Sequence, residues 1–595
     1  MSPRSPDPDT ARSQPFDSRR RLLPGFGAAV LVAAQVTLLG PGLIYLENLE
    51  EFAGRGATAG IHPAIAFVLV TLILALPTLL PGLARRWTAA LLACTVLIWL
   101  QSFSTGRYAL LDGSEIDWSL YRGREWLELS IWLGAVGAAA LAPSRLTRWM
   151  WRAAVIVVLV QTSSWALGMA RAPLTSAPTG EVRAIANLDE LATLSSDRNI
   201  IVLVLDGTHG RVAMDVLSGS SELRERFDGF TVLPDHLAVF PTTRFSIPSM
   251  LSHELYDNRR PAPDYLEEAL TGPASVPPRI AQSGFHVGIA STIAAMRIVP
   301  RDVFVPAERL TAGRQKREVI GLELLDLSLF RSFPLSVKRW VFNDNNWRLR
   351  RLLDWQGGYH ATRSLLFMRT LIGRLSLGGD EPAFRFIHVG GAHPPVVVDG
   401  ECEFIGVQPV NRSTYGSQVE CALRQAADLV EALDVLGVLD STFLVIVSDH
   451  GIDRVDDGGP RLPTPHSALL NRHSALFMLK NFGAVGPLEV DSSPTSMADL
   501  PTLLESAAAG HPVDFAPDPA GRTVFHHRWQ HGDWRKDYVT NLHAFRVRED
   551  ASRPESWSYL GSSPSPSLRA AELAEQERVG EGYRDAIGTG EPDSR

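Results

Sequence analysis

The chain has 595 residues, with 57 Lys and Arg against 65 Asp and Glu, for a formal net charge of −8. That balance argues against nucleic acid as a partner, because no basic stripe supplies the charge needed to neutralise phosphates. Mean hydropathy is near zero only as an average of two unlike halves: apolar runs dominate up to about Met169, and a soluble-protein composition comes after it.

Five apolar stretches come first: Phe26–Tyr45, Pro63–Leu83, Trp87–Phe103, Leu127–Leu141 and Trp149–Leu167. A membrane-spanning helix needs about 20 mostly apolar residues. The first, second and fifth meet that length, and the third and fourth borrow flanking residues. The first stretch is too long for a signal-peptide core and lacks a small-residue cleavage site, so it is read as retained. Trp87, Trp126 and Trp149 stand where interfacial anchors are expected.

Arg19, Arg20 and Arg21 precede the first stretch, Arg85 and Arg86 follow the second, and Arg145 and Arg148 follow the fourth. The loops between carry Glu47, Glu50 and Glu51, then a mixture with Asp112, Glu115 and Asp117. Positive charge stays in the cytoplasm, so the N-terminus is expected there and everything after Met169 on the far side.

Residues 171–198 are rich in Pro, Ser, Thr and Ala and read as a tether. Asn199–Leu205 (NIIVLVL) is a predicted strand ending at Asp206-Gly207. Phe443–Val447 (FLVIV) is another, ending at Ser448-Asp449-His450-Gly451. Further strands are predicted at Phe285–Ala290, Phe384–His388 and Ala475–Leu479, with a helix over Ser417–Leu436. Strands alternating with helices imply an α/β domain with a mostly parallel sheet between helices. Ligand sites in such sheets lie beyond the carboxyl ends of the strands, where Asp206 and the Asp449-His450 pair both sit. After about Trp557 the pattern weakens: Ser562–Ser567 is Ser- and Pro-rich, and Leu568–Ala586 reads as a short charged helix.

Carboxylate oxygens and an imidazole nitrogen are ligands for a divalent cation. Pro241–Leu251 (PTTRFSIPSML) places hydroxyls at the start of a predicted helix, where the helix dipole stabilises an attached phosphate. Arg244 in this segment can clamp a phosphate. Standing alone, Asp206 reads as a helix cap and the Thr segment as a capped helix.

Taken together, these pieces resemble the alkaline phosphatase and sulfatase superfamily. They look closest to its membrane-bound branch of lipoteichoic acid synthases and phosphoethanolamine transferases. The resemblance covers about Phe26 to Leu479. It implies five transmembrane helices before an alkaline-phosphatase-like α/β catalytic domain. It also implies metal ligation by Asp206, Thr243, Asp449 and His450, although Glu is usual at the first position. Thr243-Arg244-Phe245-Ser246-Ile247-Pro248 fits the branch's nucleophile pattern, which makes Thr243 the nucleophile. His393, in Ala392-His393-Pro394-Pro395, corresponds to a phosphate-binding His, and His466 or His473 to a further downstream His. Sulfatases of the superfamily oxidise Cys or Ser to an aldehyde. Threonine would give a ketone, so that route is not expected.

The implied organisation is a cytoplasmic N-terminus (1–24), a five-helix membrane domain (25–170), a linker (171–198), an extracytoplasmic catalytic domain (199–555) and a flexible tail (556–595). The implied activity is a plasma-membrane phosphotransferase. It would move phosphoglycerol or phosphoethanolamine from a phospholipid donor to a glycan or glycolipid acceptor through a phospho-threonine. The alternatives are a phosphodiesterase or phosphatase using the same site, and a catalytically silent partner in envelope assembly. Zinc or manganese suits the ligand set best, with magnesium or calcium as further possibilities. Catalytic roles fall to Thr243, His393 and His466, and substrate binding to Arg244, His393 and His473.

His388 reads as a satisfied strand-end residue. His526, His527 and His531, with no acidic or cysteine partner at ligand spacing, read as surface residues. Asn411-Arg412-Ser413 is a glycosylation sequon by pattern alone. Cys94 reads as a small hydrophobe in an apolar run. Cys402 and Cys421 either bridge in an oxidising compartment or stay free.

Overall fold

The computed structural model describes residues 16–47, 60–104, 116, 118–171, 188–291, 304–306, 315–343, 347–352, 359–378, 381–453, 465–511, 518–527 and 537–587. The chain divides into two compact units. One draws on Met1–Tyr108, Ile116–Ser176 and Arg314–Trp355, the other on the remainder.

In the first unit, four helices among the described residues are long and apolar enough to cross a membrane. They are Leu23–Glu47, Ile61–Leu79, Gly82–Ser102 and Ser144–Ala170. The fourth expected stretch, Leu127–Leu141, falls in the helix Arg122–Ala140, which does not reach that standard. Arg122, Arg124, Glu125 and Glu128 occupy its first two turns, and the uncharged remainder by itself is shorter than a bilayer core. Glu128 is held by Gln101 Nε2 at 3.2 Å, Arg124 Nε at 2.9 Å and the Leu335 N–H at 3.0 Å.

The second unit is α/β. Its main sheet has eight strands: β1 (Asn199–Leu205), β2 (Phe230–Val232), β3 (His286–Ser291), β4 (Phe304–Pro306), β5 (Ala383–Val389), β6 (Thr442–Val447), β7 (Phe477–Lys480) and β8 (Glu489–Val490). Their order across the sheet is β8-β2-β7-β6-β1-β5-β3-β4, and only β7 runs against the others. All five predicted strands are present, with ends shifted by no more than two residues. The predicted helix is longer than expected and spans Arg412–Val435, with Asn411 of the sequon as its cap.

The strand β1 is a continuous apolar run because both of its faces are covered. Ile201, Leu203 and Leu205 enter one core with the 412–435 helix, while Ile200, Val202 and Val204 enter the other with the Thr243–Met250 helix. The strand β6 alternates in the same way, with Leu444 and Ile446 on one side and Phe443, Val445 and Val447 on the other.

Two stretches read as irregular are folded. Within the expected tether, Leu188–Ala192 is a helix, and the buried Arg385 on β5 ties it to the sheet. The guanidinium donates to the carbonyls of Leu191 (2.9 Å), Thr193 (2.6 Å), His286 (2.7 Å) and Phe384 (3.0 Å). Burial lowers its pKa to about 10, which leaves it charged at neutral pH. Arg385→Leu strands these carbonyls without a donor, so we expect a loss of about 3 kcal/mol or more in unfolding free energy, measured by denaturant titration. A change below about 0.5 kcal/mol would show the carbonyls to be satisfied otherwise.

The expected flexible tail holds β11 (Trp557–Pro564). It completes a three-stranded antiparallel sheet with β9 (Arg522–His526) and β10 (Asn541–Val547). The helix Ala570–Ile587 comes next and buries Tyr583 and Ile587 against Trp557 and Phe545.

Candidate metal and nucleophile site

The parallel pairing of β1 with both β5 and β6 brings three carboxyl ends together. Asp206 leaves β1 and its N–H donates to Val389 at the end of β5 (2.9 Å). Asp449 and His450 come directly after β6. The Asp449 carboxylate spans the gap between the strands: its Oδ1 accepts the N–H groups of Gly207 and His450, both at 3.0 Å. Ser448 adds a second tie, its Oγ accepting the Thr208 N–H at 2.8 Å and donating to the His450 carbonyl at 2.8 Å. Gly451 is required by close packing, since a Cβ there would collide with the Asn471 carbonyl.

The side chains converge. His450 Nε2 is 3.4 Å from Asp449 Oδ2 and 3.7 Å from Asp206 Oδ1. Thr243, the first residue of its helix, puts Oγ1 at 3.3 Å from His450 Nε2 and 3.5 Å from Asp206 Oδ2. The first helical hydrogen bond runs from Phe245 N to Thr242 O, so Thr243 stands at the positive end of the helix. Asp206, Asp449 and His450 are buried, whereas Thr243 and His393 are half-buried.

This donor set fits a divalent cation. Asp206 Oδ1 and Asp449 Oδ2 are buried and accept no hydrogen bond, a costly arrangement for carboxylates unless a cation satisfies them. His450 Nδ1 is 2.7 Å from the Gly451 carbonyl, which makes Nδ1 the protonated nitrogen and leaves the Nε2 lone pair for ligation. Burial pushes the Asp206 carboxyl up, but the neighbouring His393, His388 and His450 outweigh it and hold the group below the usual carboxylate range.

His388 belongs to this site, contrary to its reading as a merely satisfied residue. Its Nε2 lies 3.4 Å from Asp206 Oδ2, and its Nδ1 lies 2.9 Å from Ser291 Oγ on β3. Ligand atoms of Asp206, His388 and Asp449 all lie within 4.8 Å of one another. Gln418, which no motif marks, supports the site as well. Its Nε2 donates to the carbonyls of Ala392 (3.1 Å) and His393 (3.2 Å), holding the His393 loop from the 412–435 helix. Tyr415 braces the Asp206 turn by donating to the Gly207 carbonyl and accepting the His209 N–H at 2.9 Å.

The other residues expected at the site are more dispersed. The His393 ring is 6.2 Å from the His450 ring, and its Nδ1 is 2.7 Å from the Pro394 carbonyl. Arg244 is buried, with its guanidinium 5.3 Å from the Phe245 ring. His473 is buried with Nδ1 at 2.8 Å from the Ala238 carbonyl and Nε2 at 3.3 Å from His526 Nδ1, and burial lowers its pKa to about 4. His466 packs edge-on to Trp557, with Nε2 at 3.2 Å from the Ala551 carbonyl. His526 and His527 are buried rather than on the surface, because β9 packs against His473 at the end of the helix Pro465–His473; His531 lies outside the described residues. Burial pushes the pKa of both well down, so both rings are neutral.

Comparison with known proteins gives likeness in structure alone. No family model matches the chain, and no curated protein is similar to it. Similar solved structures include a protein in the alkaline phosphatase superfamily from Vibrio parahaemolyticus, at 12% identity and TM-score 0.35, covering 67% of this chain and 87% of that one. A phosphonate monoester hydrolase from Silicibacter pomeroyi matches at 13% identity and TM-score 0.35, covering 66% and 96%. A sulfatase from Pseudoalteromonas matches at 10% identity and TM-score 0.33, covering 66% and 92%. At these scores the likeness carries no inference about activity.

Proposed function

We propose that this protein is a membrane-anchored, metal-dependent phosphotransferase. It would move a phosphoglycerol or phosphoethanolamine group from a phospholipid to a hydroxyl of a cell-envelope glycan or glycolipid. One observation carries the reading: a half-buried Thr243 hydroxyl stands at a helix N-terminus within 3.5 Å of both Asp206 and His450.

Asp206, Asp449, His450 and Thr243 hold the cation, with zinc or manganese suiting the set and magnesium or calcium as further possibilities. A cation bound there supplies positive charge that lowers the pKa of the Thr243 hydroxyl. The hydroxyl gives up its proton to solvent, and Oγ1 forms a bond to the donor phosphorus. The bond from phosphorus to the diacylglycerol oxygen breaks, and that oxygen takes a proton from His393. An acceptor hydroxyl then attacks the phospho-threonine and gives its proton to His393, while the bond from phosphorus to Oγ1 breaks and Thr243 is restored. Arg244 is assigned to holding the substrate phosphate, whereas His473, buried against Ala238 and His526, and His466, packed on Trp557, are not.

The anchor keeps this chemistry at the lipid surface. The helix 61–79 leaves Ile65, Val68, Leu69, Leu72 and Ile73 exposed, as suits a lipid-facing wall. We assign a fifth crossing to the 122–140 helix, with Glu128 tolerated because its partners are protein groups. The N-terminus then stays in the cytoplasm and the catalytic unit lies outside it, in the plasma membrane. The Cys402–Cys421 disulfide supports an oxidising compartment for that unit.

The test is metal-dependent release of diacylglycerol by detergent-purified protein from labelled phosphatidylglycerol and phosphatidylethanolamine, with a glycolipid acceptor present. Release with label transferred to the acceptor is the expected result. Release with the label appearing only as free phosphoester would make the protein a phosphodiesterase. No release from either lipid by metal-loaded protein would overturn the phospholipid donor.

A further inference from the structure

Residues 314–355 lie in sequence between catalytic strands β4 and β5, yet they fold with the apolar helices. The helix Gln315–Ser332 packs Ile320 and Leu324 against Ile44 of the first apolar helix, and Ser328 Oγ donates to the Val36 carbonyl at 2.7 Å. Arg331 pairs with Glu47 at 2.7 Å, and Leu329 and Phe333 pack into the core of the apolar bundle. These contacts bind the insert to the apolar helices from Ile320 to Phe333.

The second half of the insert is built differently. In the helix Leu335–Phe342, Leu335 and Phe342 turn inward onto Trp118. Arg339 and Trp340 turn outward, and Trp340 is 58% exposed. The turn at 347–352 brings Arg348 onto Trp340: its Nε donates to the Trp340 carbonyl at 3.0 Å and its guanidinium lies 5.5 Å from the indole. Arg351 is exposed beside Leu352, which is 70% exposed. From Arg331 to Leu352 the sequence holds six basic residues and one acid, Asp344.

An exposed indole and an exposed leucine are unfavourable in water, and the arginines around them exclude burial against another apolar core. Indole rings sit well at headgroup depth, and arginines beside a membrane section attract anionic lipid. We infer that Arg339, Trp340, Arg348, Arg351 and Leu352 form a rim that lies in the bilayer–water interface and binds anionic phospholipid headgroups. The inference rests on the membrane-spanning reading of the first unit.

The test uses full-length protein with Cys94→Ser, so that the only reactive thiol is introduced. An environment-sensitive fluorophore is placed at Leu352→Cys or, as a control, at Leu69→Cys. Both proteins are reconstituted in nanodiscs of phosphatidylcholine with or without phosphatidylglycerol. At 352 the fluorophore is quenched by headgroup spin label and shielded from iodide, and phosphatidylglycerol raises the headgroup quenching about twofold. Arg339→Glu with Arg351→Glu removes that rise. Absence of acyl-chain quenching at 69 would overturn the membrane reading itself. Acyl-chain quenching at 69 with free iodide access at 352 in both lipids would overturn this inference alone, as would quenching at 352 indifferent to phosphatidylglycerol.

Discussion

Thr243→Ala is expected to lower diacylglycerol release by about 10⁴-fold or more, because it removes the atom that forms the covalent intermediate. The change is mild for the fold. Thr243 is half-buried and comes after the cap residue Thr242, so it does not itself cap the helix, and alanine is a good helix former. Thr243→Ser keeps the hydroxyl and should keep measurable activity, which separates a nucleophile from a residue that only shapes the helix. Intact-mass analysis after mixing with donor lipid reads the phospho-adduct directly: present in the wild type, absent in the alanine variant. An alanine variant within about tenfold of wild type would sink the assignment.

The second large effect falls on metal affinity. Asp449 is fully buried; Oδ1 accepts two N–H groups and Oδ2 accepts none. Asp449→Asn can keep the Oδ1 bonds but replaces the open oxygen with an N–H₂ donor, which cannot ligate. We expect affinity to fall by more than the 10–100-fold typical of groups that only orient a ligand. His388 is the comparison. It contacts Asp206 on one nitrogen and Ser291 on the other, so we assign it the orienting role and expect His388→Gln to fall within about 10–100-fold. Titration of stripped full-length protein with zinc and manganese measures both. An equal loss in the two variants would make His388 a direct ligand. In the wild type, metal at about 100 times its Kd should stabilise the protein by about 2.7 kcal/mol, seen as a rise in Tm, and Asp449→Asn should lose that rise.

The parts of this protein legible from sequence are those where one local pattern admits one physical outcome. The run NIIVLVL is short and rich in β-branched residues, which favours a strand buried on both faces, and β1 alternates between two cores accordingly. An acidic residue ending such a strand, and the Asp449-His450 pair ending another, fall at the carboxyl edge of a parallel sheet by topology alone. Thr243 is legible only through the family resemblance, since a hydroxyl at a helix start read alone is a cap. The apolar helices are legible by length and composition; the 122–140 helix stands out less because its charges are satisfied by residues far away in sequence.

Tertiary structure alone decided the rest, because those features depend on which segments become neighbours. His388 enters the site only because β5 pairs beside β1, with Val204 opposite His388, and strand order is not written in either strand. Gln418 and Tyr415 reach the site from a helix that is one amphipathic stretch among several. The Ser-rich segment after Trp557 becomes a strand because β10 offers it an edge. The 315–332 helix comes between strands of the α/β unit in sequence but packs with the apolar helices. It lies against Ile44 and Val36, segments far away in sequence, and no local pattern encodes that contact.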